Sequence, residues 1–304
     1  MAAFHSGERE IQQKADEVQM ALINGGIIAD AIMAGAINFI EKQPMAIVSS
    51  RTIKGQIWTS LLIGDFGFIK VLNPQIIIFE KELTRSSQQD IFFQNISTTP
   101  AMGCLVIELA SRRRYRVNGN CQENNQNLEL HIEEAYPNCP KYIQKRVISL
   151  PDYFKKIDTF VTKGEKLGTS EKNWIRHADT FFIGSQSNMG KLDASHRGGN
   201  VGFITILEDG RLKIPDYKGN SMYNTWGNIA QNANVGLLFI DFLKGETLQL
   251  TGTAELLFNQ HSELENQQTK GTGRFLLFNT EQWIHTENHH SVDWTFIEYS
   301  PFNP

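Results

Sequence analysis

The sequence predicts a mostly β chain with a few helices, built as two tandem copies of one six-stranded antiparallel barrel. Three observations carry that reading. An internal repeat runs without gaps over long stretches, short apolar runs are broken by turn residues, and nothing alternates strand and helix as a doubly wound sheet requires.

The repeat is read directly from paired positions. Asn38-Phe39-Ile40 matches Asn173-Trp174-Ile175, Gly55 matches Gly190, Ser60 matches Ser195, and Gly67-Phe68-Ile69 matches Gly202-Phe203-Ile204, all at an offset of 135 (190 − 55). Further on, Gly103 to Gly119 lies against Gly236 to Gly252 at an offset of 133 (236 − 103). Between these blocks Asp90 to Ile96 parallels Tyr223 to Ile229, a short helix in both. The domain organisation that follows is an N-terminal helical segment at 1–37, a first barrel at 38–149, a connector at 150–172 and a second barrel at 173–304.

Within the first copy, a polar helix is expected over Glu8 to Gln19. Ile28, Ile32, Ala36 and Phe39 recur at helical spacing until Pro44 stops the run. Met45 to Ser50 and Gln56 to Ile63 read as strands around a turn at Gly55, and Gly67 to Leu72 with Gln75 to Phe79 as a hairpin about Asn73-Pro74. The last strand is expected at Asn127 to Ala135 and its counterpart at Arg274 to Thr280. Closure into a barrel would remove the exposed sheet edges.

Composition bounds the partners. The chain has 304 residues and a formal net charge of −4, so no global positive field recruits nucleic acid or an anionic membrane. The apolar run Met20 to Ile40 is interrupted by Asn24, Gly25, Gly26, Asp30 and Asn38, which argues against a membrane span. The start of the chain lacks the order of a signal peptide; a cytoplasmic protein is expected. Cys104, Cys121 and Cys139 stand apart with no metal-binding spacing and read as reduced structural thiols. His285, His289 and His290 do not form H-E-x-x-H and read as a solvated loop.

One stretch concentrates chemistry. Between Gly190 and Asn220 lie Asp193, Ser195, His196 and Arg197, followed by Gly198-Gly199, which let a backbone approach a ligand. Arg197 can hold an anion bidentately, with Ser195 and His196 as further donors. Asn220 or Ser221 can cap a helix running through Asn224 and Asn228, whose first N–H groups favour an anion. The bland alternative is a polar barrel rim. The first copy carries Trp58, Ser60, Leu61 and Leu62 at the positions of Asp193, Ser195, His196 and Arg197, so one of two equivalent clefts has lost its polar lining.

The order of elements, the strand Arg113 to Gly119 (RRYRVNG), and the segments DASHRGG, PDYKGN, GLLFIDF and NCPKYIQ resemble the FMN-binding split-barrel family related to pyridoxamine 5'-phosphate oxidase, in a tandem-repeat subgroup. The resemblance implies two tandem six-stranded antiparallel split β-barrels forming an intrachain pseudo-dimer. It also implies flavin mononucleotide (FMN) held between them, and a small-molecule substrate with NAD(P)H as a candidate electron donor. The assembly would be a monomeric pseudo-dimer or a homodimer. The family's Arg-x-x-x-Leu-Lys run is replaced here by Ser195 to Gly199, which puts pyridoxamine phosphate in doubt as substrate. By this resemblance Ser195, His196, Arg197, Gly198 and Gly199 would hold the FMN phosphate, with Asn220, Ser221 and Asn224 at the helix start. Asp216 and Tyr217 would meet ribityl hydroxyls. Arg114 and Arg116, which share a strand face with Arg112, would reach the cofactor across the cleft or form a solvated edge. Gln249, the match of Arg116, would offer an amide to the flavin ring, and Lys141 and Gln144 would lie near the cleft. The function expected is an FMN-binding oxidoreductase; the alternative is a non-catalytic flavin- or haem-binding protein.

Overall fold

The computed structural model describes residues 4–124, 126–151 and 158–304. Three short helices come first, α1 (Ser6–Lys14), α2 (Val18–Gly25) and α3 (Ala34–Glu41). The single polar helix expected over Glu8 to Gln19 is thus two, parted at Asp16, whose φ of 55° cannot continue a right-handed helix. The third helix starts later than the periodicity suggests. Ala29 is held instead in a β-bridge to Ala135, accepting from the Ala135 N–H at 2.7 Å and donating back at 3.2 Å.

The first repeat contains β1 (Met45–Arg51), β2 (Ile57–Ile63), β3 (Ile69–Asn73), β4 (Ile76–Glu80), α4 (Ile91–Ile96), β5 (Ala101–Glu108), β6 (Arg113–Glu123) and β7 (Asn127–Asn138). After β8 (Lys145–Ser149), β9 (Phe160–Gly164) and α5 (Thr169–His177) comes the second. It comprises β10 (Thr180–Gln186), β11 (Leu192–Gly198), β12 (Thr205–Ile206), β13 (Leu212–Pro215), α6 (Asn224–Gln231), β14 (Asn234–Asp241), β15 (Glu246–Leu257), α7 (Glu263–Thr269) and β16 (Phe275–Glu287), and β17 (Asp293–Glu298) ends the strands. The sheets run β2-β1-β5-β6-β7-β4-β3 and β11-β10-β14-β15-β16-β13-β12, the same order element for element, with β9 added against β16.

Each path therefore has seven strands rather than the expected six, because both hairpins and the closing strand pair into one ladder. The paths also stay open. One edge of each is covered by the other repeat, β11 lying against β5 and β6 and β2 against β14 and β15, while the opposite edges, β3 and β12, pack on α3 and α5. The stretch taken as a connector carries β9 and the start of α5, while residues 152–157 of it lie outside the described residues.

Strands at the centre of each sheet bury both faces, so they read as continuous apolar runs. Ala46 and Val48 of β1 and Cys104 and Val106 of β5 face the first repeat's own core. Phe181 and Ile183 of β10 face the second repeat's core. The alternate residues Ile47, Leu105, Phe182 and Leu238 meet in a third core shared by both repeats. This shared core, with Ser49 Oγ donating to the Asp193 carbonyl (3.0 Å) and Thr59 Oγ1 to the Gly236 carbonyl (2.8 Å), fixes one sheet on the other. Beyond β7 and β16 each repeat ends in a strand, and these two, β8 and β17, pair with one another.

Candidate functional site

The two repeats enclose a cavity of about 110 Å³ between β6, the chain after β7, β11 and the loop leading into α6. β11 lines it with Ser195, His196, Arg197 and Gly198, while Ala194 packs in the shared core and Asp193 is buried beside the cavity. Arg116 of β6 crosses to meet them. Its guanidinium pairs with the Asp193 carboxylate at 2.7 Å, donates to the Ala194 carbonyl at 3.2 Å and to the Tyr136 hydroxyl at 2.7 Å, and bonds Ser195 Oγ. Burial works against its charge, but Asp193 and Tyr136 outweigh burial and hold Arg116 protonated.

The other two arginines have no such partner. Among the described residues neither Arg114 nor Arg197 has a carboxylate within ion-pair distance; Arg114 donates to the Cys139 carbonyl at 2.8 Å. Burial, then the neighbouring Arg116 and Arg197, pull Arg114 down to about 9. Burial likewise lowers Arg197, with Asp216 opposing. His196 lines the same cavity at 2% exposure, with neither ring nitrogen hydrogen-bonded. Burial, then Arg114, Arg197 and Arg146, keep it neutral by pushing its pKa well below the usual histidine range. A concentration of positive charge beside an unpartnered buried imidazole lacks one thing, an anion.

The wall opposite comes from the loop after β13. Asp216 pairs with Arg274 at 3.0 Å, Tyr217 stacks on Tyr142 at 4.9 Å between centroids, and Asn220, Ser221 and Asn224 complete the lining with Gly198 and Lys141. Gly198 is required by close approach: a Cβ there would sit 2.1 Å from the Tyr142 carbonyl oxygen.

Three expected residues lie elsewhere. Gly199 is placed under Phe203 and donates its N–H to the Asp179 carbonyl at 3.0 Å. Gln144 is fully buried; its amide accepts from Ser300 N at 2.8 Å and donates to the Gly199 carbonyl at 3.0 Å, tying the end of the chain to the end of β11. Gln249 faces the pseudo-equivalent cleft, where it donates to the Thr59 carbonyl (2.9 Å) and Ser60 Oγ (2.8 Å). Those partners match Ala194 and Ser195, so the amide repeats two bonds of Arg116 without its charge. The capping expectation also changes. Neither Asn220 nor Ser221 caps α6: its N-cap is Tyr223, and Asn220 Oδ1 accepts from Met222 N at 3.2 Å.

The histidines near the end are not a solvated loop. Arg114 faces Asn138 across its ladder and Thr247 faces Thr286 across the matching one, so His289-His290 occupy the places of Lys141-Tyr142. His289 is buried 3.3 Å from Asp90, which also accepts from Ser60 Oγ at 2.6 Å; burial, then His289, push His290 down to about 3. This cluster fills the cleft in which Thr247, Gln249 and Leu62 replace the arginines. Spacing in the sequence gives no sign of it. The thiols of Cys104 and Cys121 are buried and free, and Cys139, also free, lines the first cavity. Among the described residues no helix is long and apolar enough to cross a membrane, and no cluster of metal-ligating side chains occurs.

No family model and no curated protein matches this chain. Solved structures do align with it, among them three that cover less than half its length. HupZ of Group A Streptococcus has 11% identity over 44% of this chain and 98% of its own, with a TM-score of 0.32. A pyridoxamine 5'-phosphate oxidase-related FMN-binding protein of Nostoc punctiforme has 12% identity over 44% and 100%, at 0.30. An FAD-binding protein of Mesorhizobium loti has 14% over 43% and 98%, at 0.31.

Proposed function

We propose that the chain is an FMN-dependent oxidoreductase that holds one flavin per chain in the cavity between its repeats, with a small molecule as substrate and NADH or NADPH as the candidate electron donor. The observation that carries this reading is the pair of half-buried arginines without carboxylates, Arg114 and Arg197, beside an unpartnered buried His196. That donor set suits a phosphate dianion. The volume suits the anionic end as well: about 110 Å³ is less than the roughly 300 Å³ of pockets that enclose a whole drug-sized ligand. Tyr142, half-buried on Tyr217, must therefore yield room for a ring system.

A flavin bound there supplies hydride and electron transfer. The chain's own share is positional and electrostatic. Arg197 and Arg114 balance the phosphate charge, and Arg116 is fixed by Asp193 so that it does not collapse onto the anion. A second reading rests on His196 itself, an unpartnered buried imidazole able to ligate haem iron.

The absorbance of the purified chain tests both. A flavin spectrum, bleached anaerobically by NADH or NADPH and restored by oxidant, supports the oxidoreductase. A flavin that no donor reduces leaves a binding protein, a Soret band supports haem, and a colourless chain that takes up neither FMN nor haem sinks both readings.

A further inference from the structure

The loop between β13 and α6 reaches the cavity by a strained path. Ser221 and Tyr223 are left-handed, at φ 63° and 60°, a conformation that non-glycine residues keep only where their surroundings enforce it. Here the surroundings are the N-terminal segment. Asn24 Nδ2 donates to the Asn220 carbonyl at 2.7 Å, and Nε2 of Gln12, a buried residue of α1, donates to the Met222 carbonyl at 3.0 Å. Farther along, Asn224 Nδ2 donates to Glu8 at 2.9 Å, and α1 packs so tightly on α6 that a Cβ on Gly7 would lie 2.2 Å from the Gly227 carbonyl oxygen.

A trans peptide unit points its N–H opposite to its C=O. With the Asn220 and Met222 carbonyls turned toward α1 and α2, the N–H groups of Ser221 and Tyr223 face away from them, and both residues line the cavity. Neither N–H has a hydrogen-bond partner among the described residues, whereas the N–H between them, on Met222, is taken by Asn220 Oδ1. Backbone donors gathered around left-handed residues form an anion-binding concavity. His196 lines the same cavity, nine-tenths buried and unpartnered.

We propose that the 220–224 loop is the phosphate nest of this site, with the Ser221 and Tyr223 N–H groups as donors and Gln12 and Asn24 as the residues that position it. The ligand class is a phosphomonoester dianion; the proposal rests on the flavin reading only for the group that the phosphate carries. The N-terminal segment is then part of the binding apparatus and not a decoration of the second repeat.

The test compares the full chain with the double variant Gln12→Met, Asn24→Ala, titrated with FMN, riboflavin and inorganic phosphate, with thermal melting alongside. The variant is expected to bind FMN and phosphate about tenfold more weakly and riboflavin unchanged. Equal weakening of FMN and riboflavin would show the segment to be merely structural, and no weakening of FMN or phosphate would overturn the nest while leaving the flavin reading intact. Phosphate binding that the variant loses, in a chain that takes up no flavin, keeps the nest and removes the flavin. A wild-type chain that binds none of the three overturns both. Should the double variant unfold, Asn24→Ala alone carries the same comparison.

Discussion

Arg197→Ala separates ligand binding from stability with unusual clarity. In most buried ion pairs, removing one partner strands the other and costs several kcal/mol. Arg197 has no ion-pair partner to strand: its lowered pKa comes first from burial, with Arg116 adding to it. The apo protein should therefore melt no lower than wild type, and relief of the like charges around Arg114 favours a rise. Loss of a charged hydrogen bond to phosphate costs about 1.5–3 kcal/mol, which is roughly a 10- to 150-fold loss of affinity. Fluorescence titration should show that loss for FMN and leave riboflavin, which has no phosphate, within about twofold. If FMN and riboflavin weaken together, or if FMN binding is unchanged, Arg197 does not hold the phosphate.

Three other outcomes follow from the same geometry. Flavin released on denaturation should amount to one per chain, because Thr247, Gln249 and Leu62 replace arginines in the second cleft and His289 is buried there beside Asp90; two per chain would refute the loss of that site. Glu8 is raised to about 7, first by burial, with Glu134 and Asp193 adding to it. Between about pH 4.5 and 7 the folded chain holds a proton that the unfolded chain has released, so stability falls as pH rises through that window, by about 3 kcal/mol in all. Glu8→Gln should flatten this fall in denaturant melts taken from pH 5 to 8, and an unchanged slope would show that Glu8 stays ionised. A Cβ on Gly236 would sit 2.6 Å from the Ile57 carbonyl oxygen of the other repeat; Gly236→Ala should cost about 1–3 kcal/mol while calorimetry still shows one transition, whereas two separated transitions would mean that the repeats fold independently.

Much of the frame is legible in the sequence because a duplicated fold writes its core twice. Paired glycines and apolar runs at constant offset place the strands of both sheets, and the mismatch of Asp193, His196 and Arg197 with Trp58, Leu61 and Leu62 marks which cleft kept its polar lining. The sequence suggests six strands in a closed barrel where the structure has an open path of seven, because one edge of each sheet is covered by the partner repeat and pairing between distant segments leaves no local periodicity. Gln249 shows the limit of arguing from matched positions. The repeat equates it with Arg116, and the structure shows the equivalence in two bonds, to the carbonyl of Thr59 and the hydroxyl of Ser60, yet equivalent positions face opposite clefts, so Gln249 lies away from the cavity that Arg116 enters.

The duplication also extends further than sequence comparison reaches. Asn138 to Ser149 corresponds to Thr286 to Ile297 with no identical residue, and the match is visible only because β8 and β17 follow the same ladder positions and pair with each other. What such a stretch conserves is a path, not a side chain. Along that path Lys141-Tyr142 leaves one cleft accessible, while His289-His290, sealed by Asp90 and Gly245, closes the other. The same logic applies to α1 and α2, which have no counterpart in the second copy among the described residues. They grip the loop before α6 and so break the symmetry a second time, on the side where the arginines remain. Loss of charge, filling by histidines and an added clamp all point to the same cleft, and that agreement among unrelated parts of the chain is the strongest reason to seek the ligand there.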